Sequence, residues 1–270
     1  MKYDLIIVGA GPVGSHLARL TAEQDWDVLI IERSDEVGTP LACSGHVSPD
    51  IWNFVPEKYR ERLLQNNIKG ARFHNRKLYK FYKNETVSFV IDRIELDKVK
   101  FEQAVEAGAE YVLGEEVEKV KEYEDRVEVD TADGSYTSRY VAGCDGASST
   151  VRQDLELPEP DHFYQGFMCF ADEDDSSDFV DVHLEVPEFF GWRIPRNDSV
   201  EYGVAVPKGE NPKKWLDDIL KEHGISDSET RNFCGGAIPI GPADKTYTDR
   251  GLIIGDAAGQ TKPFTGGGIL

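Results

Sequence analysis

Short apolar runs bounded by polar turns dominate the chain, and their lengths separate strands from helices. Tyr3 to Val8 ends in Leu5-Ile6-Ile7-Val8 and meets a glycine turn, which reads as a buried strand. Pro12 to Gln24 follows with helical spacing, Val13, Leu17 and Leu20 falling on one face. Asp27 to Glu32 returns to the strand pattern through Val28-Leu29-Ile30-Ile31. Strand, helix and strand together have the length of a βαβ unit of a dinucleotide fold.

Farther along, Arg33 to Pro49 is a loop punctuated by Gly and Pro, Ile51 to Gln65 predicts a helix, and Ile68 to Val90 predicts short antiparallel strands. Arg93 to Ala107 is helical and stopped by Gly108. Tyr111-Val112-Leu113, Val117 to Tyr123 and Arg126 to Thr131 read as strands, with a hairpin turn at Ala132-Asp133-Gly134. Phe163 to Val206 is again β in pattern, rich in Phe, Val and Trp. Trp215, Leu216, Ile219 and Leu220 form one face of a short helix ending before Gly224. Leu252-Ile253-Ile254 is a last buried strand before a glycine-rich turn, and no internal repeat or low-complexity linker interrupts the series. The expected fold is α/β: a Rossmann-type nucleotide domain (1–67, 93–160 and 247–270) interrupted by an antiparallel β-rich substrate lobe (68–92 and 161–246).

Composition narrows the partners. The 270 residues include 50 acidic and 30 basic ones, a formal charge of -20. Such a surface has little to offer nucleic-acid phosphates or anionic lipid headgroups. It suits solubility, and more sharply it suits high salt, where screening shortens the repulsion. Cys43, Cys144, Cys169 and Cys234 show no C-x-x-C pair and no zinc spacing with histidine, so a reducing cytoplasmic compartment is expected and no metal site. His16, His74, His162, His183 and His223 are scattered singly and read as surface or structural. Asp172 to Asp175 with Asp178 lacks the glycine and spaced glutamate of a calcium loop and reads as a solvated turn. No signal peptide is expected, and no apolar run approaches the ~20 residues of a membrane span.

Three glycine motifs carry the chemistry. In Gly9-x-Gly11-x-x-Gly14 the first glycine permits the tight turn, the second lets backbone approach a pyrophosphate, and the third lets the helix pack on its strand. Phosphates then meet the helix N-terminus. Glu32, ending the second strand, is placed to accept ribose hydroxyls. The second motif runs Cys144-Asp145-Gly146-Ala147-Ser148-Ser149-Thr150-Val151-Arg152, and the third is Gly255-Asp256-Ala257-Ala258-Gly259 before Gly266-Gly267-Gly268-Ile269. Asp256 is suited to a ribityl hydroxyl, and the later glycines to a flavin edge. In this order the three resemble the signature set of the para-hydroxybenzoate-hydroxylase-like flavoproteins, which implies FAD as the cofactor.

Within that superfamily the chain resembles the archaeal geranylgeranyl reductase family, which saturates the isoprenoid chains of membrane ether lipids. Leu41-Ala42-Cys43-Ser44-Gly45-His46 resembles the family's cysteine loop, and Asp92-Arg93 with Leu96-Asp97 resembles its FAD-contacting segment. Phe189-Phe190-Gly191-Trp192-Arg193-Ile194-Pro195 resembles its substrate motif, with Ile194 where the family has an aromatic residue. The resemblance implies FAD contacts at Val13, Glu32, Cys43, Ser44, His46, Arg93, Val117, Asp256, Gly268 and Ile269. Gly9, Gly11, Gly14 and Asp145 join them from the motifs, and Phe189, Phe190, Trp192 and Pro195 are expected to line a prenyl-lipid site. The family continues past the position of Leu270, so a C-terminal part is expected to be missing.

An isolated trisubstituted alkene has no carbonyl to stabilise a carbanion, so protonation before hydride transfer is the expected order. That needs an acid, aromatic faces that tolerate positive charge, and exclusion of water. Cys43 and His46 are the catalytic candidates; an ordinary thiol, titrating near ~8.5, is protonated at neutral pH. Two rivals share the scaffold: a flavin-dependent monooxygenase or halogenase, whose Trp-x-Trp-x-Ile-Pro box the Trp192 segment approaches without its first Trp, and a non-catalytic FAD-binding fragment. No second Gly-x-Gly-x-x-Gly appears, leaving ferredoxin, F420 or NAD(P)H open as electron donor. The expected location is cytoplasmic or peripheral at the inner face of the cell membrane, with transient contact at its surface.

Overall fold

The computed structural model describes residues 2–269. In chain order the elements are β1 (Tyr3–Val8), α1 (Pro12–Ala22), β2 (Val28–Glu32), β3 (His46–Val47), α2 (Arg60–Leu63), β4 (Leu64–Ile68), β5 (Gly70–His74), β6 (Tyr79–Tyr82), β7 (Ser88–Ile91), α3 (Arg93–Glu106) and β8 (Glu110–Leu113). There follow β9 (Val117–Glu122), β10 (Val127–Thr131), β11 (Ser135–Gly143), α4 (Thr150–Asp154), β12 (His162–Ala171), β13 (Phe179–His183), β14 (Gly191–Pro195), β15 (Val200–Pro207), α5 (Pro212–Glu222), β16 (Thr230–Ile240) and β17 (Gly251–Ile253). They gather into two compact units, one of 1–39, 94–162 and 239–269, the other of 40–93 and 163–238. The stretch 40–67 therefore packs with the second unit.

The first unit is built on a seven-stranded sheet in the order β8-β2-β1-β11-β10-β9, with β17 joined to β11. Strands β8, β2, β1, β11 and β17 pair in parallel, while β11, β10 and β9 form an antiparallel meander. The nine-residue β11 serves both halves: its first residues pair with β10 and its last three with β17. Ile6, Leu29, Ile31, Val141 and Ile253 bury on one face of the sheet and Leu5, Ile7, Ile30 and Ala142 on the other. Apolar burial on both faces is why β1 and β2 read as continuous apolar runs and not as alternating ones.

The second unit holds a seven-stranded sheet, β16-β12-β15-β14-β13-β5-β6, and a small sheet β3-β7-β4. Its pairs are antiparallel wherever the register is defined, except β5 with β13, which run parallel. Helix α5 buries Leu216, Ile219 and Leu220 against Cys169, Tyr202 and Val204 on one face of the large sheet. On the opposite face Ile194 packs with Ile68, Val90 and Val180, and Trp192 lies against them.

One predicted helix is largely absent. Residues 51–65 form 3₁₀ turns at Pro49–Asn53 and Glu57–Tyr59, one short helical turn in α2, and then strand β4. Pro56 lacks an N–H and holds the residue before it out of helical geometry, which breaks the apolar spacing into separate turns. Strand β16 was not predicted; Gly235, Gly236 and Pro239 hide it in sequence, yet it adds to the edge of the sheet beside β12.

Candidate functional site

In the first unit every nucleotide motif leaves the C-terminal end of a parallel strand. Gly9 follows β1, Glu32 ends β2, Cys144 and Asp145 follow β11, and Gly255 follows β17, on strands lying side by side in the order β2, β1, β11, β17. That end of an open parallel sheet is where the strand order leaves a crevice for ligands.

The geometry explains each glycine differently. Gly9 has φ +100°, and a Cβ there would stand 2.4 Å from the Cys144 carbonyl oxygen; one on Gly14 would stand 2.0 Å from the Gly9 oxygen. These two close the turn and seat α1 on the strands. Gly11 differs: no atom lies within 4 Å of where its Cβ would be, so its surface is open to an approaching phosphate. The first turn of α1 carries no acidic residue, leaving its N–H groups and dipole to favour an anion. Glu32 is fixed by two backbone donors, Ala10 N–H to Oε2 at 2.8 Å and Ser34 N–H to Oε1 at 2.9 Å. Each carboxylate oxygen keeps a lone pair for a further donor such as a ribose hydroxyl.

The second and third motifs lock onto the first. Arg152, 2% exposed, donates from Nη1 to the Ala257 carbonyl at 3.0 Å, and Ser149 Oγ caps α4 by accepting the Arg152 N–H. Asp145 Oδ2 accepts the Val151 N–H at 3.1 Å, while Oδ1 is buried with no hydrogen-bond partner among the described residues. Burial raises the Asp145 pKa. Gly255, at φ +70°, brings its backbone against Val13 at the start of α1. Asp256 is exposed on the following 3₁₀ turn, and Gly268 lies beside its Oδ1. Ile269 follows, half-buried, whereas Val117 opens β9 with its side chain in the core. An open cradle at a helix N-terminus, a ribose-placed carboxylate and a buried unsatisfied oxygen fit a flavin dinucleotide.

In the second unit Gly45, at φ +68°, accepts the Ile91 N–H on its carbonyl at 2.9 Å, and the Arg93 side chain packs against it. Cys43 is half-buried in this loop and forms no disulfide. His46 pairs with Val90, and its Nε2 lies 2.7 Å from Ser88 Oγ. The ring reaches solvent at its surface; atoms crowded around it and the Arg196 guanidinium nonetheless hold its pKa below the ordinary imidazole value.

The cysteine loop is tied to the Trp192 strand through a buried ion pair that the sequence did not reveal. Arg196 donates to the Ser44 carbonyl, to Gln65 Oε1 and, at 2.5 Å, to Glu201 Oε2. Glu201 is 0% exposed and accepts the Trp192 indole N–H on Oε1 at 2.8 Å. Burial pushes the Glu201 pKa up, against Arg196 and the two hydrogen bonds that favour its charge. Gly203, opposite Trp192, has no side chain because the indole occupies that space. Phe189 stacks on Phe190 at 4.5 Å, Phe190 meets Trp192 edge-on at 6.1 Å, and Tyr164 tilts against Phe189 at 5.0 Å. Pro195 is buried at the end of β14, its carbonyl accepting from Asn66 at 3.0 Å.

Two sequence readings change. The acidic stretch is solvated only in part: Asp172 and Asp174 are exposed, whereas Asp175 and Glu173 clasp the buried Arg193, and Asp178 pairs with Lys69. Nor are the histidines all scattered. His74, His183 and His223 meet in one cluster, since β5 and β13 pair His74 directly with His183.

A sheet with its ligand loops at the C-terminal strand ends, carrying this motif order, defines an FAD-binding protein of the Rossmann type. The FAD binding domain family matches residues 53–231, and the NAD(P)-binding Rossmann-like domain family matches residues 7–56. The chain is 30% identical, over all of its length and 77% of the relative's, to digeranylgeranylglycerophospholipid reductase 1 of Methanopyrus kandleri. It is 28% identical, over 99% of its length and 73% of the relative's, to digeranylgeranylglycerophospholipid reductase of Methanococcus vannielii. The chain belongs to the digeranylgeranylglycerophospholipid reductase family of FAD-binding proteins. Its fold matches a geranylgeranyl bacteriochlorophyll reductase-like protein of Thermoplasma acidophilum with a TM-score of 0.86 at 22% identity, covering 99% of this chain and 74% of that one. A variant of the halogenase PltM in complex with FAD shares the fold with a TM-score of 0.77 at 16% identity, covering 100% and 66%.

Proposed function

We propose that the protein is an FAD-dependent reductase that saturates C=C bonds in the geranylgeranyl chains of archaeal membrane ether lipids or their prenyl precursors. The observation that carries this reading is the bridge Trp192–Glu201–Arg196–Ser44, which joins the aromatic strand to the cysteine loop within one buried network. Membership of the reductase family supports it. The halogenase likeness is one of fold alone, and Phe190 stands where that enzyme box has its first Trp. Saturation of lipid double bonds by the reduced protein without oxygen is the deciding experiment.

Bound FAD, when reduced, supplies the hydride. The chain's own residues do the rest. Gly9, Gly11, Val13 and Gly14 hold the pyrophosphate, Glu32 the ribose, and Asp256, Gly268 and Ile269 the flavin end; Val117 and Asp145 complete the set from the first unit. Ser44, His46 and Arg93 are further flavin contacts that the family resemblance implies. Cys43 holds the proton on its thiol for delivery to the alkene. Phe189, Phe190 and Trp192 offer π faces to the positive charge that develops and exclude water, and Pro195 fixes the end of their strand. His46, held neutral, bonds Ser88 and positions the loop.

A lipid substrate asks for a docking surface. Among the described residues no helix is long and apolar enough to cross a membrane. Support for transient surface contact comes from the sheet edge β6 and its approach, where Leu78, Tyr79, Phe81 and Tyr82 are each more than half exposed. Arg76, Lys77, Lys80 and Lys83 interleave with them, a local reversal of the chain's acidity. Aromatic tips with flanking cations suit a headgroup layer. The acidity of the whole chain, a formal charge of -20, is read as adaptation to molar salt. The electron donor stays within ferredoxin, F420 or NAD(P)H.

A further inference from the structure

We propose that His74, His183 and Glu222 form a binding site for a divalent transition-metal ion of the zinc class, tying β5, β13 and α5 together. One donor atom from each of these three lies within 4.8 Å of the others. His74 Nδ1 stands 3.3 Å from Glu222 Oε1, and His183 Nδ1 stands 3.6 Å from Glu222 Oε2. Two donors each about 2.1 Å from a tetrahedral ion are about 3.4 Å apart, and each imidazole already stands near that distance from one oxygen of the Glu222 carboxylate.

The surrounding bonds set one tautomer and accommodate the other. His74 Nε2 lies 2.7 Å from Oδ1 of Asp181, a carboxylate only 3% exposed and itself held by Arg72 at 2.9 Å. Donating there, His74 carries its proton on Nε2 and turns the Nδ1 lone pair toward Glu222. His183 Nε2 lies 3.1 Å from His223 Nε2, so a proton on His183 Nε2 leaves its Nδ1 lone pair on the same side. A metal-bound imidazole whose other nitrogen donates to a carboxylate or similar acceptor is the arrangement that orients such ligands. The two rings stack at 4.4 Å and 22°, presenting both Nδ1 edges together.

Glu222 is the last residue of α5, where the negative end of the helix dipole favours a cation. Its side chain is 53% exposed, which gives the ion an entry path and leaves a further position for water. Two imidazoles and one carboxylate are a donor set that zinc accepts readily. The sequence hid this site because its ligands are far apart and only the parallel pairing of β5 with β13 aligns the imidazoles.

The test is zinc titration of the chelator-treated full chain by calorimetry, beside the variants Glu222→Gln and His223→Asn. One zinc per chain is expected. Glu222→Gln weakens it at least ten-fold, and His223→Asn by about 10- to 100-fold, as for an outer-sphere partner. Both variants keep the wild-type circular dichroism in chelator. Cobalt(II) in place of zinc gives d–d bands without a thiolate charge-transfer band, which separates this site from the cysteines. No zinc binding, equal affinity in Glu222→Gln, or a thiolate band overturns the proposal.

Discussion

Cys43 and Glu201 carry separable predictions, one chemical and one structural. Cys43→Ala is expected to retain bound FAD and its reduction while losing lipid saturation; unchanged turnover of the reduced protein would refute the thiol's role. Glu201→Gln keeps an acceptor for Trp192 but leaves the guanidinium of Arg196, a residue only 7% exposed, without its counter-charge. Breaking a buried pair costs about 3–5 kcal/mol, and denaturant unfolding measures it. Unaltered stability would remove the buried bridge from the account. The glycines and Glu32 were legible in the sequence because their roles are local, set within one strand-turn-helix unit. Arg196 and Glu201 were not, although only five residues apart, because a charged pair near a turn reads as solvated until the strand pairing buries it. The histidine cluster was hidden for the same reason: 109 residues separate His74 from His183, counting 183 minus 74, and register alone aligns them.

Among the elements, β6 makes the most direct prediction. Its rings are not loose: Phe81 packs edge-on against Phe73 at 5.5 Å and Tyr82 stacks on Phe179 at 5.5 Å, yet both remain more than half exposed. Exchanging Leu78 and Phe81 for serine should reduce co-flotation with vesicles of anionic archaeal lipid several-fold and leave FAD binding alone. Equal flotation of variant and parent would dismiss this edge as the contact. The strands of the nucleotide sheet were readable from their apolar runs, since burial on both faces leaves no alternation to misread. The helix expected over 51–65 failed because Pro56 interrupts what the apolar spacing alone suggests. β16 escaped notice because a strand on a sheet edge tolerates the Gly-Gly pair and the proline that would disfavour a central one.

At the scale of the molecule, sequence order is scrambled into two units, and the crossings near 40, 94, 163 and 239 follow packing more than composition. The formal charge of -20 acts on the whole. The Debye length is about 10 Å at 0.1 M salt and about 3 Å at 1 M, so self-repulsion grows as salt is withdrawn. If the acidity is an adaptation to high salt, circular dichroism will report unfolding on dilution from molar salt; stability independent of salt would contradict it. The central claim concerns what the FAD-bearing chain does. The direct measurement is mass spectrometry of geranylgeranyl ether lipids after anaerobic incubation with the reduced, FAD-loaded protein. Stepwise gains of one H₂ per double bond are expected. Lipid masses that stay unchanged while the bound flavin is fully reduced, or products that form only with oxygen, would contradict the assignment as a reductase.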